Sequence, residues 1–146
     1  KHNILIGERT AEQIKINVGA AIADLADAPP KYAVNGRDML TGIPKQVFTT
    51  HVEVAEALDK SIAKIEEAVL KALEDTPPEL SSDIYRTGIY LTGGGALLRG
   101  LDRRMAAKTK LNVHIADDPL RAVVRGTGIA LKNSHKYSFL MDRKSI

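Results

Sequence analysis

The sequence predicts an α/β chain with two unequal parts, a small helix-plus-hairpin unit and a larger unit in which helices and strands alternate. Three observations carry that expectation. Apolar residues recur at helical spacing twice, as Ile14, Val18, Ile22 and Leu25 and then as Val54, Leu58, Ile62, Ile65, Val69 and Leu73. Short β-like runs lie at residues 31–39, 44–50, 88–92 and 111–117. Three consecutive glycines, Gly93, Gly94 and Gly95, join the third of these runs to a further amphipathic stretch marked by Leu97, Leu101 and Met105.

Each element has its own signal. Thr10 with Gln13 reads as a capping box, and the helix behind it is expected to run to about Ala26, where Asp27-Ala28-Pro29-Pro30 stops it. Asn35-Gly36 would ordinarily be the turn of the following hairpin. It leaves too short a second strand before Gly42, so Gly36 is read as a bulge and residues 40–44 as the turn. Thr50 with Glu53 is a second capping box, opening the longest helix, which should end at Asp75 or Thr76 ahead of two prolines. Residues 78–85 suggest one short helical turn before the strand at 88–92. After the glycines and their helix, residues 111–117 alternate like a strand. Asp118-Pro119 then opens a last helix, with a carboxylate cap and proline at the first position. No internal repeat is evident.

Composition narrows the chemistry. The chain has 146 residues, 44% hydrophobic and 27% charged, which suits one domain or two small subdomains. It has no cysteine, so disulfides and thiolate chemistry are excluded and an intracellular setting is favoured. His2, His51, His114 and His135 are scattered and form no metal-ligand spacing, so no metal site is expected. The net charge of +3 hides an uneven distribution. Residues 51–83 hold nine acidic and three basic side chains, and residues 99–146 hold four acidic and eleven basic. Two solvated faces of opposite sign account for this, with an anion-binding surface as the alternative. Aromatic residues make up only 4%, so stacking platforms for nucleic acid are missing and no nucleic-acid partner is expected. No apolar run has the length of a membrane span.

The glycines admit two readings. Three in a row serve a tight turn, or they leave backbone bare so that a ribose, phosphate or adenine can lie against it beside a helix. The segment is neither a P-loop nor a dinucleotide fingerprint, because no Lys-Ser/Thr follows and the G-x-G-x-x-G spacing is absent. Asp117 and Asp118 are adjacent carboxylates, read as strand-end polarity and helix cap rather than as an acid/base pair.

"GERTAEQIK" from Gly7, "TPPELSSDIYRTGIYLTGGGALLRGLD" from Thr76 and "DDPLRAVVRGTGIAL" from Asp117 resemble the C-terminal half of the MreB family of bacterial actin-like, rod shape-determining proteins. The hairpin and the tail after Leu131 match that family only in general character. The resemblance implies an actin-like (ribonuclease H-like) ATPase fold of which this chain is a second-domain fragment. It further implies ATP as cofactor, with Mg in the full-length protein, and self-association into filaments. The filaments would serve the cell-wall elongation machinery, in the cytoplasm at the periphery of the inner membrane. Carried over by position, Gly93, Gly94, Gly95, Ala96 and Leu97 resemble the family's glycine-loop contacts, and Glu12, Gln13, Ile14 and Lys15 its segment against adenine and ribose. A surface ion pair between Glu12 and Lys15 is the plainer explanation of those two residues.

The family's phosphate loops, of the kind D-x-G-T, are missing here, so this weak ATPase family is represented by a piece expected to turn over nothing alone. The expected organisation is an outer subdomain at residues 1–50, an inner α/β subdomain at 51–118, and a segment at 119–146 whose helix should return to a first domain upstream. Another actin-fold ATPase, such as an Hsp70-like chaperone or a sugar kinase, and a small basic module for anionic surfaces are the alternatives. The hairpin tip, with Leu40 and Ile43, is expected to be one face of a longitudinal filament contact.

Overall fold

The computed structural model describes residues 2–138. Helix α2 (His51–Glu74) is the longest element, and it begins where the sequence places it. The Thr50 hydroxyl accepts from the Glu53 amide at 3.4 Å, and the Glu53 carboxylate accepts from the Thr50 amide at 3.2 Å, closing the expected box. Ile62 is fully buried on this helix, but Ile65 is half exposed, so the apolar stripe faces the core over less of its width than the periodicity implied.

Ahead of α2 stand β1 (Ile4–Leu5), α1 (Glu8–Val18), β2 (Tyr32–Asp38) and β3 (Pro44–Thr49). The three strands form one antiparallel sheet in the order β1-β2-β3. After α2 come α3 (Pro78–Thr87), β4 (Ile89–Leu91), a 3₁₀ turn (Gly94–Leu97), α4 (Leu101–Thr109), β5 (Val113–Ile115) and α5 (Ala122–Lys132). Strands β4 and β5 pair in parallel, which requires the crossover that α4 provides. Ala21, Ile62, Leu101 and Met105 form the core, with Leu58, Leu91, Leu98 and Val113 packed around it. That core is shared: Ala21 comes from the chain leaving α1, Ile62 from α2 and Met105 from α4.

Five expectations are corrected. Helix α1 is capped by Gly7, not by a Thr10–Gln13 box, because it begins at Glu8 and Thr10 already lies within its first turn. It ends at Val18 rather than Ala26. Gly19 follows as an extended cap whose amide donates to the Lys15 carbonyl at 2.9 Å, and a Cβ there would strike that carbonyl and come within 3.0 Å of Leu98, so the helix stops well before the prolines. Gly36 is no bulge, since it pairs in register with Lys45. A side chain at Gly36 would meet the Leu5 carbonyl at 2.5 Å, so the glycine admits β1, a strand too short to leave a sequence pattern. The single turn foreseen at residues 78–85 is a ten-residue helix, α3. Asp118 does not cap the last helix: it sits at φ +47° and its carbonyl accepts from the Arg121 amide, leaving Arg121 as the cap residue of α5.

The hairpin turn falls where expected. Asp38 organises it, accepting from the Leu40 and Thr41 amides at 2.8 and 3.1 Å and from Lys45 Nζ at 2.9 Å. Lys45 first, then the two amides, hold the Asp38 carboxyl down at about 2. The turn presents Met39, Leu40 and Ile43 to solvent, with Leu40 82% exposed. Helix α5 also exposes its apolar residues Val123, Val124, Ile129 and Leu131. The segment expected at 119–146 runs on past the described residues.

Candidate functional site

The glycine loop divides its work residue by residue. Gly93 takes the turn, at φ +78°, and its amide donates to the Pro119 carbonyl at 2.7 Å. Gly94 and Gly95 then start the 3₁₀ turn and are exposed. A Cβ on Gly95 would meet nothing within 4 Å, and one on Gly94 would touch only Leu120, at 3.4 Å. Ala96 turns its methyl into the core and is 3% exposed. With its side chain inward and its glycines bare, the loop offers backbone to solvent on one side. Leu97 beside it is exposed. The tight turn is thus made at Gly93, and bare backbone is left at Gly94 and Gly95.

Helix α1 is brought to the exit of that loop. Its last turn abuts Leu98 at Gly19, Ala20 bridges to Arg99 in parallel, and the Ala21 amide donates to the Arg99 carbonyl at 2.8 Å. Side chains three or four apart share a helix face, so Glu12, Lys15 and Ile16 lie along one face of α1. Glu12 Oε2 and Lys15 Nζ form an ion pair at 2.7 Å, both about half exposed.

The other two expected residues turn elsewhere. Gln13 lines a recess of about 240 Å³ with Arg9, Thr10 and residues 32–35 of β2. Ile14 is half-buried in the groove between α1 and α2, beside Val54, Ala57 and Leu58. Of the four helix residues, Glu12 and Lys15 are paired with each other and open to solvent.

A cleft of about 890 Å³ lies between residues 21–24, α2 and α4. It contains Arg104, whose Nε donates to Glu66 Oε1 at 2.6 Å and whose Nη1 lies 2.8 Å from Asp59 Oδ1. Its Nη1 also donates to the Ala21 carbonyl at 3.1 Å. Hydrogen bonding to Glu66 raises the guanidinium pKa further, ahead of the contribution of Asp59. This cluster joins elements and leaves no buried polar side-chain atom unpartnered among the described residues. It does not have the form of a catalytic centre. Among the described residues no three His, Asp or Glu side chains converge as a metal site.

Comparison with known proteins decides the family. The profile of the MreB/Mbl protein family matches residues 1–138. This chain belongs to the MreB/Mbl family. It is 45% identical over 136 residues to the cell shape-determining protein Mbl of Bacillus subtilis, covering 93% of this chain and 40% of that protein. It is 46% identical over 128 residues to MreB of Escherichia coli K12, covering 88% of this chain and 36% of that protein. MreB5 of Spiroplasma citri, solved bound to AMPPNP and bound to ADP, superposes with TM-scores of 0.86 and 0.87. It is 37% identical, over 93% of this chain and about two fifths of that one. The MreB/Mbl chain thus has the actin-like fold, and it spans about 40% of the length of the curated relatives it matches. The chaperone, sugar-kinase and basic-module alternatives find no support. No described helix is long and apolar enough to cross a membrane.

Residues 19 and 99 were absent from the sequence-derived site. Gly19 carries a local signal, a glycine after a helical run. Arg99 has none, because its partners stand some eighty positions away.

Proposed function

We propose that this chain is the second-domain half of an actin-like cytoskeletal subunit and that it holds the adenosine end of ATP between the glycine loop and the Glu12/Lys15 face of α1. The observation that carries the reading is the bare backbone at Gly94 and Gly95, in a loop whose exit at Arg99 is bonded to the end of the helix that bears Glu12 and Lys15. Gly93 and Ala96 shape the loop, and Leu97 borders it. Glu12 accepts from a ribose hydroxyl, and Lys15 lays its methylene stem along the base with its ammonium in water. Opening their surface ion pair costs only about 0.2–0.5 kcal/mol. Gln13 and Ile14 support the helix from behind, against β2 and α2. The solved relative MreB5 of Spiroplasma citri was crystallised with AMPPNP and with ADP, which supports a nucleotide ligand.

The phosphate end is supplied elsewhere in the whole protein. No D-x-G-[ST] segment exists in this chain, and no described carboxylate cluster would take magnesium, so no hydrolytic step is derived from these residues. The outer unit at residues 1–50 and the inner one at 51–118 form the two halves of the second domain. The exposed apolar face of α5 is the surface that returns to the first domain. In the whole protein the hairpin tip at Leu40 and Ile43 meets the next subunit, a heterologous contact that propagates as a filament. Such filaments, cytoplasmic and peripheral to the inner membrane, organise cell shape and cell-wall synthesis.

Titration calorimetry tests the half-site. ATP, ADP and adenosine are expected to bind with similar, weak affinity, without turnover. A clear preference for ATP over adenosine, or hydrolysis that persists through purification, would overturn the reading.

A further inference from the structure

Residues 16–24 carry the chain out of α1 toward α2 and α4, and three arginines from beyond the glycine loop take their carbonyls. Arg99 Nη1 donates to the carbonyls of Gly19 and Ile16 at 3.4 and 3.5 Å. Arg104 Nη1 donates to Ala21 O at 3.1 Å, and Arg103 Nη2 to Asp24 O at 3.1 Å. The carbonyls of a helix's last turn lack intrahelical partners and form the negative end of its dipole, so a guanidinium there satisfies both needs. Arg104 has its own partners in Glu66 and Asp59, and Arg103 holds a loop beyond the helix. Arg99 alone among the three reaches α1 itself, and it stands two residues after the 3₁₀ turn that contains Gly94 and Gly95.

From this we infer that Arg99 is a positioning residue of the adenosine site: by capping the C-terminal end of α1 it fixes the Glu12/Lys15 face at a set distance from the glycine loop. It touches no ligand. The inference rests on the adenosine reading above. Its physical content is that α1 and the loop are far apart in sequence and belong to different subdomains, so their gap is only as constant as the bonds across it. The backbone bridge between Ala20 and Arg99 sets the direction of approach, and the guanidinium holds the helix end from tilting.

The test uses the 146-residue chain with adenosine, ADP and ATP as probes. Arg99→Ala is expected to weaken all three by the same factor, about threefold to tenfold, the loss of a helix-end cation and its hydrogen bonds. Arg99→Lys should recover most of it, because an ammonium also donates to adjacent carbonyls. Circular dichroism should show both variants folded. Amide exchange at residues 16–19 should quicken in Arg99→Ala while β2 and β3 stay protected. Unchanged affinity in Arg99→Ala, unchanged exchange at the helix end, or failure of lysine to rescue would each overturn the role. Absence of adenosine binding by the unsubstituted chain would remove the site itself, a result distinguishable from a variant that binds as the parent does.

Discussion

Replacing Arg104 by methionine removes one guanidinium from three partners on two segments, Glu66 and Asp59 of α2 and the Ala21 carbonyl, and the burial of the two carboxylates sets the size of the loss. The stem is retained by methionine, so packing against the core is largely kept. The Asp59 limb, whose carboxylate side chain is 62% exposed, contributes little, about 0–1 kcal/mol as for surface pairs. The Glu66 limb is different: that side chain is only 9% exposed and bonded at 2.6 Å, so Arg104→Met leaves a carboxylate inside the protein without its cation. Breaking a fully buried pair costs about 3–5 kcal/mol, and because Arg104 itself is 18% exposed, some water reaches Glu66 and a loss of about 2–3 kcal/mol is expected. For a chain of this size that is about 5–10 °C in Tm. Urea denaturation followed by circular dichroism measures it. The double variant Arg104→Met/Glu66→Leu should recover most of the loss, since the stranded charge is gone. A single-variant cost below about 0.5 kcal/mol, or a double variant as unstable as the sum of both singles, would refute the reasoning.

Three further outcomes follow from other parts of the fold. Asp38 is held from its ordinary 3.8 down to about 2, so the bonds it organises are present above about pH 4 and are lost as pH falls toward 2. The amide resonances of Leu40 and Thr41 should therefore titrate with a midpoint near 2, and a midpoint near 4 would show that the network does not form. Ile43→Lys alters a residue 63% exposed, so stability should change by no more than about 0.5 kcal/mol while concentration-dependent self-association in sedimentation velocity is lost. Unfolding would show the tip to be core, and unchanged association would place the contact elsewhere. Helix α5 exposes Val123, Val124 and Leu131, so its amides should exchange faster than those of residues 62–69 in α2 in a monomer, and equal protection would mean that α5 docks within the chain.

What the sequence made legible follows the range of the forces involved. Helix α2 was readable because its start is a four-residue hydrogen-bond motif and its core side is a local period. The end of α1 was less so: Gly19 is a local signal for it, but the Arg99 segment that meets it there lies far along the chain. Strand β1 has two residues and exists only through pairing with β2 at a glycine that makes room. Helix α3 carries only Leu80 and Ile84 at helical spacing and buries none of its residues fully, a period too short to reveal its length. At the candidate site the glycines announced themselves, and the resemblance supplied Glu12 and Lys15. That Gly93 makes the turn while Gly94 and Gly95 remain bare needed backbone angles. Arg99 needed the tertiary fold, since its bonds run to main-chain carbonyls that carry no sequence identity.

The central claim is that the glycine loop and one face of α1 are two walls of a single adenosine site. Adenosine titrated into the isotopically labelled chain, with amide shifts followed residue by residue, tests it most directly. The account predicts saturable shifts with one common dissociation constant at Gly94, Gly95 and Leu97 and at Glu12 and Lys15, and little change at the cleft around Arg104. Shifts confined to one wall, different constants for the two, or a response centred on the Arg104 cleft would contradict it.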